Sequence, residues 1–244
     1  MNKKVAVICA YNPRNCGMYS VDLAAHQFLT GLGLEPTLFQ AQYKHRPFAI
    51  HRIKHEIYHS TAQLDDFPVV LFWGDFINNP TYGANDFAHR EAYWGREKSL
   101  DKSYEKWKNL FLLNNHNRHQ KVFSISNNFQ TLNSIASQFD AEELASVRAL
   151  YAKNFDHFFP RDTLSTVLLK NFIPDQASKI TTGVDSAFLL NQMKLYPELS
   201  KTQKSGTFAH LLTRSNYKNT ESFIKNIRLN ALEATPNQQL AKNQ

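Results

Sequence analysis

Four short strand-like runs recur along this chain, and each gives way to polar turn chemistry and then to a helical pattern. They are Lys4 to Ala10 (Lys-Val-Ala-Val-Ile-Cys-Ala), Pro68 to Trp73 (Pro-Val-Val-Leu-Phe-Trp), Gln120 to Ser126 (Gln-Lys-Val-Phe-Ser-Ile-Ser) and Phe155 to Pro160 (Phe-Asp-His-Phe-Phe-Pro). The first and second are continuously apolar rather than alternating. That suits strands buried on both faces of a parallel sheet, because helices must then cover both sides. Between the first run and Pro36 to Gln40, a further predicted strand, the residues Val21, Leu23, Ala24, Ala25, Phe28, Leu29 and Leu32 recur at helical spacing. Gly31 and Gly33 close that helix. Ala141 to Tyr151 predicts another helix, with Glu142 and Glu143 favourably placed at its positive end. The pattern predicts an α/β fold: a Rossmann-like parallel sheet with helices on both faces.

A length of 244 residues accommodates one such domain and part of a second. An apolar content of 42%, with 13% aromatics, supplies a proper core and excludes a disordered chain. The net charge of +7 is spread over the sequence, with no Lys/Arg run longer than two residues. No nucleic-acid module is visible, so nucleic acid is not an expected partner. An acidic ligand, or peripheral association with an anionic membrane, remains open. No apolar run reaches the length of a membrane span and no leader-like segment is read, so a cytoplasmic protein is expected. The two cysteines, Cys9 in a strand and Cys16 in a loop, have no partner spacing that makes a metal site. His45, His51, His55 and His59 read as an exposed helix surface rather than zinc ligands. No metal and no cofactor are expected. The chain carries no Gly-x-Gly-x-x-Gly, which argues against a nicotinamide dinucleotide.

Ligands of open parallel sheets bind at the carboxyl ends of the strands. Candidate contacts are therefore Asn15 and Gly17 after the first strand, Gly74 and Asp75 after the Pro68 run, and Ser126 after the Gln120 run. After the Phe155 run comes Arg161-Asp162, where Asp162 is a natural N-cap for a helix beginning beside a guanidinium. A cation beside a helix N-terminus is a ready seat for a carboxylate or phosphate. Helical spacing of Tyr104, Trp107, Leu110 and Phe111 predicts core packing. Tyr82, Tyr93 and Trp94 flank a predicted loop and are candidates for stacking on a sugar.

Two blocks carry a resemblance. Phe159-Pro-Arg-Asp-x-x-Ser-x-x-x-Leu169 is followed by Thr182-Gly-Val-Asp-x-Ala-Phe188, at the end of a predicted strand from Lys179. In tandem they resemble the polysaccharide pyruvyl transferase family, and the likeness extends over roughly the first 190 residues. The resemblance implies a GT-B-like architecture of two Rossmann-like halves. It also implies transfer of a pyruvyl group, as a cyclic ketal, from phosphoenolpyruvate to a sugar of a surface polysaccharide. Phosphoenolpyruvate is the donor substrate, and a saccharide, lipid-linked or free, is the acceptor. On this resemblance Arg161, Asp162 and Asp185 are the candidate catalytic residues, with Arg161 clamping the donor's carboxylate or phosphate. Ser165 and Arg214 join Asn15, Gly17, Gly74, Asp75 and Ser126 as candidate substrate contacts. The chain departs from the family pattern in three places. Met18 stands where an acidic residue is frequent, one glycine (Gly74) stands where two or three are usual, and no Gly-x-Arg-x-His pattern follows Arg214. The expected organisation is residues 1–190 as the N-terminal domain, 191–206 as a linker and 207–244 as a truncated start of a second domain. A truncated non-catalytic relative, or a glycosyltransferase half binding a sugar nucleotide, is the alternative. His157 and His210 fall in predicted strands and read as packed, which leaves the general base unassigned.

Overall fold

The computed structural model describes residues 3–10, 16–41, 53–116 and 119–190. Asn15, Arg214, His45, His51, His210, the linker at 191–206 and the second-domain start at 207–244 lie outside the described residues. The strands are β1 (Lys4–Cys9), β2 (Glu35–Gln40), β3 (His55–Ile57), β4 (Val69–Asp75), β5 (Lys121–Asn127) and β6 (His157–Phe159). The α-helices are α1 (Cys16–Gly31), α2 (Pro80–Tyr82), α3 (Ala88–Tyr93), α4 (Leu100–Phe111), α5 (Ala141–Asn154) and α6 (Thr163–Phe172). All six strands are parallel and run in the order β3-β2-β1-β4-β5-β6. The chain therefore builds outward from β1 on one side, then returns to add β4 on the other. The reversal between β1 and β4 opens a crevice beyond their carboxyl ends.

Side chains alternate across this sheet and feed two cores. One face carries Val5, Val7, Cys9, Leu38, Leu71 and Trp73 under Ala25 and Leu29 of α1. The other carries Ala6, Ile8, Phe39, Val70, Phe72 and Phe158 under residues of α4, α5 and α6. This second core is dominated by aromatic rings, with Phe155 and Phe158 stacked at 4.8 Å between centroids. Trp107, Leu110 and Phe111 are buried in it, as their helical spacing predicts.

Four expectations are corrected. His55 is not on an exposed helix. It begins edge strand β3 with its side chain only 4% exposed, because Asp22 of α1 draws the ring under the helix. The predicted strand from Lys179 is reduced to a single bridge between Ile180 and Phe158, flanked by short 3-10 turns. The loop between Tyr82 and Tyr93 is helical throughout. Asn79 caps its start by accepting from the Thr81 N–H, Pro80 fits the first turn, and a π-turn over Gly83–Phe87 joins α2 to α3. Tyr82 packs against the core in consequence, whereas Tyr93 is 87% exposed. His157 sits half-buried on edge strand β6, its Nε2 2.9 Å from the Thr181 hydroxyl, rather than in the core.

Candidate functional site

The strand ends build a cleft of about 240 Å³ at the reversal point. Gly17, Met18, Ser20 and Val21 of α1 form one wall. Asp75 at the end of β4, Ser126 of β5 and Arg161 after β6 form the floor and far side, and Asp185 and Ala187 close it. Five of the sequence-predicted residues thus meet: Gly17, Asp75, Ser126, Arg161 and Asp185. Gly74 is not among the lining residues but packs its backbone against Val21 of the α1 wall. Ser165 does not face the cleft. It is fully buried, its hydroxyl accepting from the Phe129 N–H and lying 3.4 Å from Asn128 Oδ1, so it braces the β5 turn from behind.

The backbone here is unusual. Gly74, Asp75 and Ser126 have φ of 81°, 59° and 59°. Left-handed conformations at Asp and Ser cost energy and persist only where surrounding contacts impose them. Those contacts are visible. The Ser186 N–H donates to Ser126 Oγ at 2.8 Å, and the Asn128 N–H donates to the Asp75 carbonyl. The Asn127 amide donates to the Phe72 carbonyl and accepts from the Asn78 N–H, while the Asn79 amide donates to the Asn128 carbonyl. This shell of buried asparagines holds the ends of β4 and β5 together. Sequence reasoning missed Asn78 and Asn79. The signal was the doubled Asn-Asn following both strands, since short amides readily satisfy turn backbone.

Gly74 has a second constraint besides its φ. A Cβ there would stand 2.4 Å from Val21 Cγ1, so helix α1 approaches the strand end only because the side chain is absent. Gly74→Ala is expected to lower stability by about 1–3 kcal/mol through strain and overpacking. Adding Val21→Ala should recover the overpacking share but not the φ share, as urea midpoints of the three variants would show.

Asp162 caps α6, accepting from the Ser165 N–H at 2.7 Å. Partial burial pushes its carboxyl up, but the Ser165 hydrogen bonds and the Arg161 guanidinium outweigh this and hold it below the ordinary value. Arg161 Nε lies 3.4 Å from Asp162 Oδ2, and its Nη1 lies 3.9 Å from Asp185 Oδ2. The guanidinium is therefore aimed by one acid on each side. Asp185 is also fixed, accepting from the Ala187 N–H. Asp75 differs from both. Burial pushes its carboxyl up to about 6, only partly offset by Arg161 and reinforced by the charges of Asp22 and Asp185. The cleft thus holds a guanidinium, a carboxyl group beside it at Asp185 and a buried acid, Asp75, pushed up to about 6. That is the equipment for binding an anion and exchanging a proton beside it.

Compared with protein-family models, curated proteins and solved structures, the chain matches none. No helix among the described residues is long and apolar enough to cross a membrane.

Proposed function

We propose that this cleft is the donor half-site of a polysaccharide pyruvyl transferase-like protein, in one half of a GT-B-like architecture. The observation that carries the reading is Asp75. Its backbone is left-handed at the sheet's reversal point, burial pushes its carboxyl up to about 6, and it shares one cavity with the guanidinium of Arg161. Arg161 would engage the carboxylate or phosphate of phosphoenolpyruvate by charge-assisted hydrogen bonds. Two acceptor hydroxyls add to the central carbon of the donor. One of their protons ends on the methylene carbon, which becomes the methyl group, and the other leaves with phosphate. On this reading Asp75 relays such a proton, which its raised carboxyl supports. A volume of about 240 Å³ lies below the usual range for drug-sized ligands and favours a small acid over a sugar nucleotide.

A second reading is favoured by one observation: two carboxylates already meet the Arg161 guanidinium. In that reading the chain keeps the cleft of the family but neither binds donor nor catalyses. Calorimetry with phosphoenolpyruvate separates the two. Saturable binding, weakened at least about tenfold in Arg161→Ala, supports the donor site. A folded chain that binds neither phosphoenolpyruvate nor a nucleoside diphosphate sugar supports the second reading. Binding of the sugar nucleotide alone would point to a glycosyltransferase half.

A further inference from the structure

Behind the α1 wall of the cleft lies a second group of chemistry-bearing side chains that the proposed function does not use. Cys9 at the end of β1, Asp22 of α1 and His55 of β3 place Sγ, a carboxylate oxygen and a ring nitrogen all within 4.8 Å of one another. Cys9 and Asp22 are 1% exposed, and the His55 side chain 4%. Asp22 Oδ2 and His55 Nε2 are 3.0 Å apart. A point equidistant from three atoms so spaced lies roughly 2.8 Å or less from each, while Zn²⁺ bonds to sulfur, nitrogen and oxygen run about 2.0–2.3 Å. Ordinary side-chain adjustment of about half an ångström would bring all three into coordination.

An independent observation points to a fourth ligand. Gln40 pairs with Cys9 across β1 and β2, and parallel neighbours in register project to the same face. Its side chain is therefore on the α1 side of the sheet, as are Cys9 and, one row back, His55 opposite Leu38. Gln40 is 7% exposed, and its Oε1 is buried without a hydrogen-bond partner. A buried amide oxygen without a donor is costly, and a cation satisfies it.

We propose that Cys9, Asp22 and His55, with Gln40 Oε1 as the fourth donor, form a closed site for a zinc-type divalent cation. The charges balance. A thiolate and a carboxylate neutralise the dication, and the imidazole and amide are neutral, so no net charge is buried. The Cys9 thiol gives up its proton to solvent as the ion enters. Four saturated positions make the site structural rather than catalytic. It would pin the first half of α1 to β1, β2 and the edge strand β3, and so fix Ser20 and Val21, which line the cleft beside Asp22. The proposal does not depend on what the cleft binds.

The test uses the full chain, stripped with a chelator and then titrated with Co²⁺ and, separately, with Zn²⁺ against a chromogenic competitor. The expected result is one equivalent of metal, a thiolate-to-cobalt charge-transfer band, the intense visible bands of tetrahedral cobalt and a higher melting temperature with zinc. Cys9→Ser should abolish the charge-transfer band and weaken zinc binding by more than about 100-fold, since losing a ligand exceeds losing an outer-shell partner. Gln40→Leu should keep the charge-transfer band and change the visible bands. A folded wild-type chain without a charge-transfer band would overturn the proposal and leave a buried hydrogen-bonded trio. So would a band that survives Cys9→Ser, because it would belong to Cys16. The wild-type spectrum decides even where Cys9→Ser fails to fold.

Discussion

Trp107→Ala is expected to remove about 3–5 kcal/mol of folding stability and lower the melting temperature by roughly 10 °C. Trp107 is completely buried on α4. Its ring stacks on Tyr104, with centroids 5.3 Å apart and planes 14° from parallel. Its other surroundings include Gly83, where a Cβ would stand 2.2 Å from the ring, so the indole rests directly on the backbone of the π-turn. The Tyr104 ring and the Gly83 backbone against which the indole packs are poorly able to collapse into the hole. The indole N–H also donates to the Ile77 carbonyl at 3.0 Å. Trp107→Phe should therefore cost less than alanine but more than a packing change alone, since the carbonyl loses its donor, worth about 1–3 kcal/mol. Thermal and urea unfolding of the two variants measure this. An alanine variant melting within about 2 °C of the parent would show that α4 is not part of the cooperative core.

Asp75→Asn is expected to give a more stable protein and, on the proposed donor-site reading, one without transferase activity. The native carboxyl titrates near 6 rather than at its ordinary 3.8, so the native state holds this proton more tightly than the unfolded chain does. Stability from the protonated form is complete below about pH 4 and is lost as pH rises through about 6; above that, the ionised group costs at most about 3 kcal/mol. Asparagine carries no such charge and is also better tolerated at a φ of 59°. At pH 7.5 the variant should gain about 1–2 kcal/mol from the lost charge, and that share of the gain should vanish near pH 4, leaving only the small backbone share. If the chain catalyses the proposed transfer, phosphate release from phosphoenolpyruvate with a saccharide acceptor should fall about 10²–10⁴-fold, the usual worth of a positioned acid/base. A stability gain that does not vary between pH 4 and 7.5, together with unchanged turnover, would remove Asp75 from the proton relay. Gain of stability with loss of function is the expected signature of strain kept for chemistry.

The sequence alone determined the class of fold. Continuous apolar runs such as Val5 to Cys9 and Val69 to Trp73 fit only strands covered on both faces, and the helical spacing of Val21 to Leu32 supplied a cover. It also determined local devices whose partners lie within a few residues, such as the Asp162 cap and the turn at Gly74. Strand order was not legible, because pairing is settled by which faces bury the most area, and that is a property of the whole sheet. Only the tertiary structure brought Gly17, Asp75, Ser126, Arg161 and Asp185 into one cleft and turned Ser165 away from it. The acidity of Asp75 was likewise beyond the sequence, since desolvation depends on what covers a group rather than on what precedes it. The same holds for His55 and Cys9. They are 46 positions apart in a sequence whose cysteine spacing pointed away from metal, yet parallel strands with a helix laid across them bring both to Asp22. Spacing along the chain reports ligands that share one element. Ligands drawn from three elements are visible only once the sheet has formed.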